Sequence, residues 1–249
     1  MSTNCAFAQI VEKQVKGYTI QSLDGTSEKI YVTDDYMHDS IKIRCLKDSL
    51  QIEQDYQVDS ASILNKNFLR IIYRPKCGSD CRLRGIIFLC VKGGKLYVSM
   101  RATLLFEEEI TRVYDRRTDS LKLFDEKSVY KLKLRLTGEN KSDYKLLANI
   151  HDMNSSKHDP LTSYNHDDKT TLNFDVQENI FYNDFKDINA SFDIWDPKAG
   201  EVKRRITGNF PVIKLGRKEY YYINDIWYEG SGVGNNSITT DYTWTNPAR

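Results

Sequence analysis

Proline is scarce, with 5 in 249 residues, which excludes a proline-rich linker protein. Long apolar runs are missing too. The longest, Ile86–Val91, is strand-sized, far short of the roughly 20 residues a membrane-spanning helix needs, and no transmembrane segment is expected. Neither sign of charge dominates: 36 Lys+Arg stand against 35 Asp+Glu, a formal +1. Without a net field there is no global attraction for nucleic acid or an anionic membrane, and nucleic acid is not an expected partner. There is no G-x-S-x-G elbow, no S-x-x-K and no cysteine in a papain-like context. The phosphate-binding G-x-x-x-x-G-K-[ST] is absent. Gly230-Ser231-Gly232-Val233-Gly234 resembles G-x-G-x-x-G only superficially, with no helix expected after it. No internal repeat has a fixed period, and no cofactor is expected.

What is present favours strands. The chain is 40% hydrophobic and 29% charged, enough apolar material for a real core, and it carries 16 Tyr, 10 Phe and 3 Trp. The stretch from Asn67 to Met100 holds two nearly continuous apolar runs, Phe68–Tyr73 and Ile86–Val91, which fit strands covered on both faces. Gly93-Gly94 then turns the chain back. Asp24-Gly25 between two alternating runs predicts a first hairpin, and Lys47-Asp48 a second. The cleanest alternation sets Tyr130, Leu132, Leu134 and Leu136 against Lys131, Lys133 and Arg135. Residues 102–117 are the best helix candidate, with Glu108 and Arg112 at the i,i+4 spacing, although Thr111–Tyr114 also fits a strand.

The expected fold is mainly β and antiparallel, either sandwich-like or two packed β subdomains, with one or two short helices. Residues 1–16 read as an N-terminal segment, 17–150 as a β-rich half, 151–169 as a polar loop, 170–229 as a β-meander half and 230–249 as a mobile tail. Ala6-Phe7-Ala8 fits the small-x-small pattern of an export-signal cleavage site. Removal of the residues before Gln9 would leave four cysteines, Cys45, Cys77, Cys81 and Cys90. An even number suits disulfides in an oxidising compartment. The favoured pairs are Cys77–Cys81 across a short turn and Cys45–Cys90. Buried reduced thiols in a cytoplasmic protein are the plainer alternative. The expected location is therefore extracytoplasmic: periplasmic, cell-surface or secreted.

Two sets of residues carry the functional expectations. Tyr220, Tyr221, Tyr222, Trp227 and Tyr228, with Trp195, would form an aromatic face that captures a protein or glycan partner, since aromatic rings dominate interface energetics. Because neighbours on a strand alternate, the bland reading is that a second layer covers both faces. His151, His158 and His166, each followed by Asp, with Asp167, offer donors that suit a metal ion. Their spacing matches no zinc motif, and a solvated loop is the alternative. The leading expectation is an exported, non-enzymatic binding protein. The rivals are a metal-assisted hydrolase using the His/Asp loop and a self-assembling structural protein.

Overall fold

The computed structural model describes residues 14–35, 40–52, 56–75, 81–115, 120–157, 160–196, 201–230 and 237–246. The chain is mainly antiparallel β, as expected. It opens with β1 (Gln14–Gln21), β2 (Ser27–Asp35), β3 (Ser40–Arg44) and β4 (Ser49–Ile52). Eight strands follow: β5 (Tyr56–Leu64), β6 (Phe68–Pro75), β7 (Cys81–Lys92), β8 (Lys95–Asp115), β9 (Ser120–Thr137), β10 (Lys145–Ser156), β11 (Tyr164–Asp175) and β12 (Ile180–Tyr182). Neighbours in sequence are neighbours in space, giving an eight-stranded meander. Next, β13 (Asp184–Asp196), β14 (Glu201–Leu215), β15 (Lys218–Ile223), β16 (Ile226–Gly230) and β17 (Ser237–Thr239) close into a barrel, with the parallel pair β13–β17 as its seam. Finally β18 (Tyr242–Trp244) returns to pair with β4, completing a five-stranded sheet in the order β1-β2-β3-β4-β18.

The pleat explains the sequence pattern. Leu132, Leu134 and Leu136 on β9 stand opposite Ile150, Ala148 and Leu146 on β10, and Leu146 stands opposite Leu172 on β11. The intervening polar residues face water. Tight turns sit where expected. Asp24 accepts hydrogen bonds from the Thr26 backbone and hydroxyl, and its other oxygen takes the Gly93 N–H at 2.7 Å. One carboxylate thus ties the β1–β2 turn to the β7–β8 turn. Gly93 and Gly94 have φ of 60° and 77°, which a two-residue hairpin turn requires.

Three expectations are corrected. Residues 102–117 do not form a helix: the described part lies in β8, paired with β7 on one side and with β9 on the other. Two ladders of hydrogen bonds override a weak helical pattern. The polar stretch 151–169 is not a loop. His151 to Ser156 ends β10, residues 160–162 make a 3-10 turn, and β11 begins at Tyr164. Its polarity marks an exposed sheet face, so it is no domain boundary. Nor are residues 237–246 of the tail loose. Tyr242 is fully buried, Trp244 Nε1 donates to Asp225 O at 3.2 Å, and Thr245 N donates to Ser49 O.

The layers share one apolar cluster that runs through all three sheets. The first strands pack on β5 and β6, β16 and β12 pack on β8, and β14 packs on β11 and β12. Phe68, Phe174 and Phe181 meet at centroid distances of 4.8 to 5.5 Å. A second cluster, Val212, Tyr221, Ile223, Tyr228 and Ile238, fills the barrel.

Trp227 is fully buried and its Nε1 donates to Val98 O at 2.8 Å. Trp227→Ala is expected to destabilise the protein by about 3–5 kcal/mol, the usual effect of truncating a buried ring. Urea unfolding followed by circular dichroism checks this, and an unchanged midpoint would contradict the burial.

Candidate functional site

The expected aromatic face is core. Tyr220 and Trp227 are fully buried, and Tyr221, Tyr222 and Tyr228 are no more than 8% exposed. Alternation along β15 divides the rings. Tyr220 and Tyr222 leave the barrel to join the main core, and Tyr221 points inward with Tyr228. Both faces of the strand are covered, so none of the five is a surface binding residue. Trp195 belongs to β13 by its backbone, and its side chain lies outside the described set.

The His/Asp set is also divided. His151 and Asp167 are directly opposed on β10 and β11, with Nδ1 and Oδ1 2.9 Å apart. His166 is opposite Asp152, one residue along and therefore on the other face. His158 lies outside the described residues. Among the described residues, no three His, Cys, Asp or Glu side chains come together as metal ligands. His151–Asp167 is an exposed pair on the sheet face.

The Cys45–Cys90 disulfide is not formed, and both are free thiols. Cys45 Sγ donates to Gly94 O at 3.0 Å, and Ser99 Oγ donates to Cys90 Sγ at 3.1 Å. Burial pushes the Cys90 thiol up to about 12, which makes it inert. Cys81 opens β7, and its expected partner Cys77 lies outside the described residues.

A polar cleft of about 310 Å³ opens beside β6, β7, β8 and β17. At its base, Arg101 Nε donates to Asp241 at 2.8 Å, and the Tyr73 hydroxyl donates to the same carboxylate at 2.8 Å. Arg101 also reaches Glu229, which Lys218 approaches at 3.1 Å. Gly85 is required here, since any Cβ would fall inside the Tyr73 ring. Burial would raise the Asp241 pKa, but the Arg101 charge and the hydrogen bonds from Arg101 and Tyr73 outweigh it and hold the carboxyl below its usual range. These groups are engaged with one another. They form a clamp that fastens the segment before β18 onto the eight-stranded sheet.

The surface that presents exposed rings and amides is an open groove of about 630 Å³ where the meander passes into the barrel. Asn183 makes the junction. Its side chain donates to Thr170 Oγ1 and Lys214 O, each at 3.0 Å, and accepts from Lys214 N at 2.8 Å. Tyr182 and Phe185 flank it, with ring centroids 4.9 Å apart and planes at 68°. Phe185 is 59% exposed, so the pair forms an apolar corner open to water. Asn173 and Gln177 bring exposed amides to the groove. Partial burial and the hydrogen-bonded Asp175 carboxylate push the Tyr182 phenol upward. The Lys214 ammonium, followed by the Phe185 N–H, holds Asp184 below the usual carboxylate range. The sequence placed this region only within a β-meander half over residues 170–229. The signal that Phe185 would be exposed, its place between Asp184 and Lys186, is too common to single out a site.

No family model, curated protein or solved structure matches this chain.

Two outcomes are expected. In the native protein Cys90 resists iodoacetamide until denaturant is added, which mass spectrometry of the alkylated peptide checks. The depressed Asp241 pKa contributes stability that is present above the unfolded aspartate pKa and lost as pH falls through the folded value. Melting temperature should therefore drop below pH about 4, and Asp241→Asn should lower it at neutral pH and flatten that acid slope.

Proposed function

We propose that this protein is a non-enzymatic binding protein that captures a glycan in the groove at Tyr182 and Phe185. The observation that carries this reading is the solvent-open aromatic corner. An exposed, T-stacked ring pair presents an apolar wall that matches the apolar face of a sugar ring. The Asn173 and Gln177 amides and the Asp175 and Asp184 carboxylates around it suit sugar hydroxyls. A concave site with an apolar wall and a few convergent polar groups is the usual form of a small-ligand site. The reading keeps the role expected from the sequence, capture of a partner, and moves it from the buried ladder to an exposed pair. An exported location fits such a role. It rests on Ala6-Phe7-Ala8 and on the expected Cys77–Cys81 pair, since the free Cys45 and Cys90 remove the other disulfide expected there.

Phe185→Ala tests the site. Screened on an array of neutral and acidic oligosaccharides, the wild-type chain should bind at least one class, and the variant should bind it at least tenfold more weakly. Such an effect, about 1.4 kcal/mol or more, is normal for an aromatic anchor. The melting temperature should not change, because the ring is exposed. A wild-type chain that binds no glycan on the array would defeat the proposal.

A further inference from the structure

The groove continues into a face of one charge. Asn173 of β11 pairs with Tyr182 of β12 on one side and with Lys145 of β10 on the other. Partners directly across a ladder lie on the same face, so aromatic, amide and cation form one row. The same registers fix the next rows. Thr137 stands beside Lys145, Arg135 beside Leu147 and Thr171, and Lys133 beside Asn149 and Lys169. These three rows hold four cations, Lys133, Arg135, Lys145 and Lys169, and no carboxylate. All four are exposed, and the residues between them along their strands turn inward. The row beyond is different. There Lys131 meets Glu107 at 2.8 Å and His151 meets Asp167 at 2.9 Å. Charge is compensated on that row and uncompensated on the three nearest the groove.

We propose that the ligand of the groove is an acidic glycan. A neutral sugar residue sits against Tyr182 and Phe185, and the carboxylate or sulfate groups of neighbouring residues lie over Lys145, Arg135, Lys133 and Lys169. This rests on the glycan reading of the groove. Strands are spaced by about 4.8 Å and alternate residues by about 6.7 Å, so Lys145 is about 5 Å from the Asn173 position and Arg135 about 8 Å further. Those separations are of the size of one or two sugar residues and within about one Debye length at physiological salt. The Asp175 carboxylate at the groove end favours hydroxyl donors there and disfavours phosphate, while Asp184 is paired with the Lys214 ammonium. That argues for a chain carrying its charge to one side of the stacked residue, and against a nucleic-acid strand charged at every unit.

The test titrates the full chain with four probes of similar length, followed by calorimetry: a keratan sulfate oligosaccharide and a hyaluronan oligosaccharide, in which charged and neutral sugars alternate, a neutral β-glucan oligosaccharide and a single-stranded oligodeoxynucleotide. The expected result is that at least one of the two acidic glycans binds at least tenfold more tightly than the neutral one, and that this preference fades as salt rises. The sulfated and uronate arms report which anion is preferred. The double variant Lys145→Gln/Arg135→Gln should lose the preference with an unchanged melting temperature, whereas Phe185→Ala should weaken every glycan. Equal binding of neutral and acidic glycans that still depends on Phe185 would overturn this inference and leave the groove reading standing. No binding by any glycan would remove both. Tightest binding to the oligodeoxynucleotide would overturn the acidic-glycan assignment in favour of nucleic acid.

Discussion

The whole arrangement depends on how β8 is satisfied where it leaves its neighbour. The ladder between β8 and β9 begins at Leu105 and Lys131 and runs only toward Asp115, so residues 95–104 of β8 have no β9 partner. A buried backbone group without a partner is costly. Aromatic tips from the barrel supply what the ladder does not. The Thr103 N–H donates to the Tyr220 hydroxyl at 2.8 Å, and Val98 C=O accepts from Trp227 Nε1. The Tyr242 hydroxyl in turn accepts from Trp227 N at 2.7 Å. Three rings thus join the barrel, the long sheet and the last strand. Rings that resemble a recognition surface are instead the fasteners of the core.

The ion clamp acts at the same junction. Arg101 and Asp241 have side chains 9% and 11% exposed, so the pair is shielded from water and its hydrogen bonds offset part of the desolvation. Breaking such a pair typically costs about 3–5 kcal/mol, because the remaining charge is left buried. Its position explains the ordered C-terminal segment. Tyr73 bends over Gly85 to reach Asp241, and β18 is then delivered to the edge of β4. On the opposite side, Asn183 holds the change of direction from β12 into β13. The groove is a by-product of that change: three residues of β12 end, the chain turns, and Phe185 is left outside both cores.

The residues differ in how much they declared in advance. The alternation of Leu132, Leu134 and Leu136 with lysine and arginine fixed an antiparallel sheet with one wet face, and the wet face is where the exposed cations stand. Asp24-Gly25 and Gly93-Gly94 announced their turns through backbone chemistry that needs no tertiary context. Residues 102–117 misled because Leu104, Leu105 and Ile110 fit either period, and only pairing on both edges decides. Residues 151–169 misled because a polar run reads the same on an exposed strand as in a loop. Tyr220, Tyr221 and Tyr222 misled because alternation shows that rings point both ways but not that each side has a cover.

By itself the sequence determined the strand class, most turns and the existence of a cationic row, since each follows from contacts within a few residues. Tertiary structure alone decided which rings are buried, that Cys45 and Cys90 stay apart, that Arg101 meets Asp241 across 140 positions, and that Tyr182 and Phe185 border an open groove. Those outcomes depend on which sheet covers which face. A period of two carries no information about what lies on the far side of the pleat.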